Sequence, residues 1–178
     1  MKTITIVTGN AHKLKEWQRL FPANFNFESV NLDLDEIQSL DSEAIIKDKV
    51  LRAYAKLKRP VLVEDVTAGL EKLNGLPGPF IKYFEEKLGK DALYQLAGEE
   101  SPAIVTCTIA YYDGVNMFFS RGEVHGRVIA ARGSNGFGFD TVFVATGQTK
   151  TFGEMEPREK DKISHRSQAV KSMIKLLS

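Results

Sequence analysis

The amino-acid sequence predicts an α/β protein built on a mixed β-sheet. Strands and helices alternate near the N-terminus, a β-hairpin lies in the middle, and an amphipathic helix closes the chain. The hairpin requires antiparallel strand pairs, so a purely parallel, doubly wound sheet fits less well. We expect a single domain over residues 1–178, because a chain of 178 residues buries enough surface to fold without a disulfide or a structural metal.

Each element follows from the spacing of apolar residues and from the turn or cap residues beside it. The helical elements predicted in this way are Asn10–Phe21, a helix from a cap at Asp41 or Ser42 to about Lys58, Pro79–Leu88, Asp91–Ala97 and a last helix from Ser164. The predicted strands are Ile4–Val7, Val61–Val63, Ile104–Tyr112, Val115–Ser120, Glu123–Ala131 and Thr141–Ala145, with a hairpin turn at Asp113–Gly114.

The composition restricts the partners and the compartment. Lys plus Arg is 24 and Asp plus Glu is 23, a net charge of +1, which argues against a nucleic-acid partner because such proteins carry a basic surface. No apolar run reaches the length of a membrane span, so we expect no membrane association. Cys107, the one cysteine, lies in an apolar stretch, which favours a buried thiol. A reducing, cytoplasmic compartment is the expectation.

The first segment that suggests chemistry is Thr8–Lys13, which joins a strand to a helix. Gly9 permits a tight turn, and the N–H groups at a helix start form a natural anion site. The helix dipole favours acids there, yet His12 and Lys13 occupy the first turn. A bound phosphate would explain these cations. A solvated surface lysine after an Asn10 cap is an equally good explanation from this segment alone.

Two carboxylates, Glu64 and Asp65, follow the apolar residues of Val61–Val63 and are interpreted as the end of that strand. Carboxylates at this end of a strand can hold Mg²⁺ or orient a water molecule. Neighbouring strand residues face opposite sides, so only one of the two would face a ligand. A plain acidic turn is the alternative.

Three later segments carry either cationic side chains or glycine next to phenylalanine. Lys82 lies within a proline-rich turn, Gly136–Asp140 interleaves glycine with phenylalanine, and Lys160–Arg166 places His165 and Arg166 at a helix start. Glycine–aromatic turns can receive a flat base, and arginine can grip phosphate with two hydrogen bonds. A packed corner and a β-bulge remain the structural alternatives for the first two.

Five stretches in this order, TGNAHKLKEW, VLVEDVTAGL, LPGPFIKYF, GFGFD and EKDKISHR, resemble the inosine triphosphate pyrophosphatase family, also called Ham1-like. The resemblance covers residues 8–166. It implies an elongated, two-lobed α/β fold with a long mixed sheet and a central cleft. It also implies hydrolysis of ITP, dITP and XTP to the monophosphate and pyrophosphate, with Mg²⁺ or alternatively Mn²⁺, by a homodimer that binds a small nucleotide substrate.

The resemblance assigns roles to individual residues. Asp65 and Lys13 would be catalytic, and Glu36 and Asp65 would bind the metal, with Glu64 a weaker candidate. The substrate-binding residues would be Thr8, Gly9, Asn10, Lys13, Lys49, Lys82, Phe137, Gly138, Phe139, Asp140, Lys160, His165 and Arg166, of which the last seven would form the nucleobase end.

Three residues depart from the family pattern: Val66 replaces a polar residue, Asp161 replaces asparagine, and Phe139 replaces tyrosine or tryptophan. These departures bear on substrate preference. Two alternatives therefore stay open at this point: a pyrophosphatase of the same fold that acts on a different modified nucleotide, and a non-catalytic nucleotide-binding module.

Overall fold

The computed structural model describes residues 3–178. The strands are β1 (Thr3–Val7), β2 (Asn26–Val30), β3 (Val61–Leu70), β4 (Pro77–Gly78), β5 (Ser101–Tyr112), β6 (Met117–Val128) and β7 (Phe143–Ala145). The α-helices are α1 (Ala11–Leu20), α2 (Ser42–Leu57), α3 (Ile81–Leu88), α4 (Ala92–Ala97), α5 (Pro157–Ile163) and α6 (His165–Leu177).

The strands form one mixed sheet, as the sequence predicts. Their order is β2-β1-β3-β5-β6-β7, and β4 pairs with β3 off this path. β1 is parallel to both β2 and β3, whereas β3 with β4 and β6 with β7 are antiparallel. A turn at 113–116, where the Asp113 N–H donates to the Asn116 carbonyl, joins β5 to β6. The α/β class with a mixed sheet is therefore confirmed.

The chain divides into two compact units, each with its own apolar core. One contains the chain up to Asp65 with Cys107–Gly122 and Arg166–Ser178, and the other contains Val66–Thr106 and Glu123–His165. In the first unit, α2 packs its apolar side on β1 and β3; the buried residues are Val7, Ile46, Val50, Ala53, Val61, Val63 and Ala110. In the second unit, the core combines aliphatic residues with the aromatic rings of Phe139, Phe143 and Phe152.

Side chains at the predicted caps set where the first two long helices begin. The Asn10 side chain accepts from the N–H groups of His12 and Lys13 at 2.9 and 3.2 Å. The Asp41 side chain accepts from the backbone of Glu43 at 2.9 Å, so Asp41 is the cap of α2 and Ser42 its first residue. Both caps satisfy helix N–H groups that would otherwise lack a partner.

The largest error in the predicted elements concerns β3. The strand does not end at the two carboxylates but continues to Leu70, because its second half pairs with β4 through Ala68–Gly78 and Gly69–Pro77. Glu64 and Asp65 therefore lie inside a strand. Pairing with a distant segment is not visible in local apolar spacing, which explains the error.

Other predicted boundaries are also wrong. β6 is one strand instead of two, and α3 begins at Ile81 instead of Pro79. The last helix, α6, begins at His165, directly after Ser164, which agrees with the expected helix start at His165 and Arg166. A 3₁₀ turn occupies Gly138–Thr141, which shortens the last predicted strand to β7. The sequence pattern missed β2 and α5 because β2 is largely exposed and α5 is mostly charged, so neither shows apolar periodicity.

Gly126→Ala should destabilise the fold. Gly126 pairs with Ala145, and an added Cβ would overlap the Val144 carbonyl oxygen and lie 2.7 Å from Cζ of Phe143. Overpacking of this kind costs about 1–3 kcal/mol of the free energy of unfolding. Urea unfolding measures it, with His125→Ala, the exposed neighbour, as the control. Equal unfolding midpoints for the two variants would contradict this close packing.

Candidate active site

The turn between β1 and α1 is held by its own side chains. The Thr8 hydroxyl accepts from the Asn10 N–H at 3.1 Å, and the Asn10 side chain occupies two N–H groups of the first helical turn. At Gly9, an added Cβ would lie 2.5 Å from Oδ1 of Asn31, so a larger residue would require that side chain to move. The turn is thus preformed, and anion binding there would use side chains as well as the helix start.

Glu64 is the centre of a buried ion-pair group in the first unit. It is 3% exposed. The Arg166 guanidinium donates to its carboxylate from Nε at 2.9 Å and from Nη2 at 2.9 Å. Lys13 Nζ lies 3.0 Å from the same carboxylate. The indole N–H of Trp17 donates to it at 2.7 Å. Nη1 of Arg166 pairs with Glu16.

The charges of this group keep Glu64 ionised. Burial by itself would raise the pKa of Glu64, but Arg166 and Lys13 outweigh burial and hold that pKa well below its ordinary value of 4.5. The same carboxylate, with Glu16, raises the pKa of Arg166 well above its ordinary value against the effect of burial. Both partners therefore remain charged at neutral pH.

Asp65 follows on β3 and has a different environment. It is half-buried, and its Oδ2 atom is buried with no hydrogen-bond partner among residues 3–178. Burial raises the pKa of Asp65, as do the nearby charges of Glu36 and Glu64, while Lys49 and Lys13 oppose that rise. An aspartate with a raised pKa and an unused oxygen is suited to accept a proton.

Glu36 and Lys49 approach Asp65 from outside the sheet. Glu36 lies in the irregular segment after β2, Lys49 lies on α2, and the two side chains form an ion pair. Among residues 3–178, no three or more His, Cys, Asp or Glu side chains are grouped closely enough to hold a metal by themselves. Mg²⁺ commonly uses one or two carboxylates together with substrate phosphates, so Glu36 and the unused oxygen of Asp65 fit that mode.

In the second unit, Asp140 supports the glycine–aromatic turn. Asp140 is 2% exposed, and its Oδ2 accepts from the Phe137 N–H at 2.8 Å and from Lys160 Nζ at 2.7 Å. Lys160 Nζ also lies over the Phe137 ring, 5.3 Å from its centroid. Asp140 was expected to face a base edge, but the structure uses this oxygen to hold the turn and the lysine together. Gly138 has a φ of +58°, which favours glycine in this turn.

Phe139 and His165 lie in the interior of the second unit. The Phe139 ring packs edge-on against Phe143, with 6.3 Å between centroids, and belongs to the apolar core. His165 is 2% exposed and lies 5.8 Å from Phe139 and 6.3 Å from Phe152, centroid to centroid. Their burial differs from the expectation that both meet the nucleobase, since packing surrounds these rings.

The other residues singled out by the sequence differ in burial and in the unit to which they belong. Arg166, expected at the nucleobase end, is 1% exposed and belongs to the Glu64 group of the first unit. Lys82 has a side chain 73% exposed on α3, and its ammonium is 3.9 Å from Glu86. Val66 packs beside the aromatic core of the second unit, which accounts for an apolar residue at this position.

Sequence reasoning missed two members of the Glu64 group, Glu16 and Trp17. Both lie on α1, three and four residues after Lys13. That spacing places them on the same side of the helix as Lys13. The signal was therefore available in the helical periodicity.

Comparisons with known proteins find similar sequences over almost the whole chain. A profile of the Ham1 family matches residues 4–176. The chain is 39% identical over 176 residues to a Pyricularia oryzae protein named inosine triphosphate pyrophosphatase, covering 97% of this chain and 92% of the relative. It is 37% identical over 172 residues to the Schizosaccharomyces pombe protein of the same name, covering 93% and 90%.

Solved structures resemble the fold over its full length. The Staphylococcus aureus Ham1 protein superposes with a TM-score of 0.82 at 25% identity, covering 99% of this chain and 98% of that one. A Coxiella burnetii HAM1 protein gives 0.82 at 26% identity with the same coverage.

Glu64→Gln should lower stability in a pH-dependent way. At neutral pH the variant leaves Arg166 with less compensating charge, and breaking a buried pair costs about 3–5 kcal/mol. Because folding lowers the pKa of Glu64, its stabilisation is complete above the ordinary value of 4.5 and is lost as the pH falls below it. The difference in free energy of unfolding between wild type and variant should therefore shrink from about pH 7 to about pH 3.

Urea unfolding at a series of pH values measures this difference. Glu43→Gln is the matched control, an exposed acid in the first turn of α2. It should change the free energy of unfolding by about 1 kcal/mol or less. A Glu64→Gln deficit that does not change with pH would contradict the ion-pair explanation.

Proposed function

The chain belongs to the Ham1 family, and we propose that it is a nucleoside triphosphate pyrophosphatase for non-standard purine nucleotides. Its substrates would be ITP, dITP and XTP, each hydrolysed to the monophosphate and pyrophosphate. Relatives at 37–39% identity carry the name inosine triphosphate pyrophosphatase. The observation that carries the proposal is Asp65, a half-buried carboxylate with an unused oxygen beside Lys13 and Lys49.

In the proposed reaction, water attacks the α-phosphorus, and the bond to the bridging oxygen breaks as pyrophosphate leaves. Asp65 accepts the proton of that water. Its raised pKa makes it a better base than an ordinary aspartate, while its charge at neutral pH is retained through Lys13 and Lys49. Phosphoryl transfer of this kind depends mainly on position and on neutralising charge.

The triphosphate would be held by the β1–α1 turn and by the two lysines. Thr8, Gly9 and Asn10 shape the turn, while Lys13 and Lys49 exchange their present carboxylate partners for phosphate oxygens. Glu64 and Glu36 keep these lysines in place until the substrate arrives.

A divalent cation is part of the proposal. Glu36 and Asp65 would hold Mg²⁺, or Mn²⁺ as an alternative, together with the phosphates of the substrate. When bound, the cation would lower the pKa of a ligated water and neutralise phosphate charge. The unused Asp65 oxygen and the nearby Glu36 carboxylate support this ligand pair.

The nucleobase would lie against the turn at Phe137–Asp140. Lys160, fixed by Asp140, offers a donor there, and hypoxanthine and xanthine present a 6-keto acceptor where adenine presents an amino group. A site built on hydrogen bonds can exclude the wrong base by a large factor. Lys82, His165 and Arg166 remain proposed substrate-binding residues, and this assignment rests on the family resemblance.

The assembly and the location are also proposals. We expect a homodimer in the cytoplasm, a small nucleotide as the partner, and no nucleic acid, in keeping with the net charge of +1. Within residues 3–178, no helix combines the length and apolar character that crossing a membrane requires. Light scattering on the purified chain measures the oligomeric state.

A nucleotide panel tests the function. Pyrophosphate release with Mg²⁺ is compared for ITP, dITP, XTP, ATP, GTP and a modified pyrimidine triphosphate. We expect kcat/KM to be largest for the first three. Faster hydrolysis of the pyrimidine would favour the same-fold alternative, and tight ITP binding without any turnover would favour the binding module.

Asp65→Asn should abolish most of the turnover of ITP. Loss of a general base typically lowers kcat by about 10²–10⁴-fold. Asp48→Asn, which alters an exposed aspartate paired with Arg52 on α2, is the matched control and should keep wild-type kcat. Steady-state pyrophosphate release provides the measurement. An Asp65→Asn enzyme that keeps more than about a tenth of the wild-type kcat would exclude the base role.

A further inference from the structure

We propose that Trp17 is a positioning residue of the active site, acting through the hydrogen bond from its indole N–H to Glu64. The inference rests on the proposed function, because its consequence is the availability of Lys13 for a triphosphate. In this inference, the effect of Trp17 on Lys13 passes through Glu64.

Trp17 is held firmly in the interior of the first unit. Its side chain is 0% exposed, and its ring stacks on Phe21 with 5.3 Å between centroids and 29° between planes. Phe21 in turn contacts Phe25 and Phe27. This aromatic packing fixes the indole so that its N–H points at Oε2 of Glu64 at 2.7 Å. A buried indole N–H needs such a partner.

The hydrogen bond differs in kind from the other contacts of Glu64. Lys13 and Arg166 approach the carboxylate as cations, and among residues 3–178 Trp17 supplies the one uncharged donor to it. The ion pairs of the group join the cations Lys13 and Arg166 to the acids Glu16 and Glu64. Trp17 therefore adds direction to the carboxylate without adding charge.

The partners of Glu64 bind to different oxygens of its carboxylate. Lys13 contacts Oε1, whereas Trp17 donates to Oε2 and Arg166 donates to both. Lys13 has a side chain 20% exposed, against 1% for Arg166, so Lys13 is the partner able to leave for a phosphate. When it leaves, the indole N–H and the guanidinium still satisfy Glu64.

Removing the indole N–H should make Glu64 compete more strongly with a triphosphate for Lys13. A buried carboxylate that has lost one donor depends more on those that remain, because leaving its oxygen unsatisfied is costly. Glu64 would then hold Lys13 more tightly. The triphosphate would bind more weakly, while the chemical step at Asp65 would be unaffected.

The chain offers an unusually clean test because Trp17 is its single tryptophan. Growth of a tryptophan auxotroph on β-(3-benzothienyl)alanine replaces that one residue, exchanging the N–H for sulfur while the ring shape is kept. We expect KM for ITP to rise about threefold to tenfold, which corresponds to part of the free energy of a hydrogen bond to a charged group. We expect kcat to stay within about twofold of the wild-type value.

Phe21→Leu is the matched control, since it disturbs the same aromatic packing but not Glu64. It should lower the urea unfolding midpoint and leave KM unchanged. Trp17→Phe provides a genetically encoded second variant, expected to show both effects. A KM that is unchanged in the benzothienyl protein, or raised equally by Phe21→Leu, would overturn the inference.

Calorimetry with inorganic triphosphate separates this inference from the proposed function. The Kd of inorganic triphosphate should be higher for the benzothienyl protein than for wild type. The same replacement in a Lys13→Gln background should leave this Kd unchanged, because the indole N–H is proposed to affect triphosphate binding through Lys13. An equal rise in both backgrounds would overturn the inference even if ITP is hydrolysed. Wild-type protein that fails to hydrolyse ITP would overturn the proposed function, while the triphosphate measurement would still decide the role of Trp17.

Discussion

The buried ion pair between Glu64 and Arg166 is the constraint on which the first unit depends. Two charges that are almost fully excluded from water are tolerated only if each compensates the other and if hydrogen bonds satisfy the remaining atoms. Glu16, Trp17 and Lys13 meet that requirement. With these partners, the pair connects β3, α1 and the start of α6, and it holds Lys13 beside β3.

Side chains alternate between the two faces of a sheet, so the adjacent residues Glu64 and Asp65 of β3 have different surroundings. Glu64 faces the buried cations and is held ionised, whereas Asp65 faces the other side, where burial raises its pKa. Glu64 is thus surrounded by cations, whereas the Oδ2 atom of Asp65 is buried with no hydrogen-bond partner among residues 3–178. Two acids that are adjacent in sequence acquire opposite properties from their surroundings.

The second unit also contains a buried carboxylate that holds a lysine in place. Asp140 is a buried carboxylate that fixes Lys160, and the Phe137 N–H donates to the same carboxylate oxygen. In both units, the carboxylate sets the position of a lysine before any substrate is present. Such preorganisation matters because a side chain already in place loses little entropy when the ligand binds.

The sequence by itself determined the α/β class, the cap residue Asn10, a second cap at either Asp41 or Ser42, and the candidate lysines and acids, because apolar spacing and residue chemistry are local properties. Only the tertiary structure decided that β3 continues through Glu64, that Arg166 pairs with that residue, and that Asp140 holds a lysine. These outcomes depend on contacts between residues up to 102 positions apart in the sequence. Local patterns carry no information about such contacts, so burial and pairing emerge only once the chain is folded.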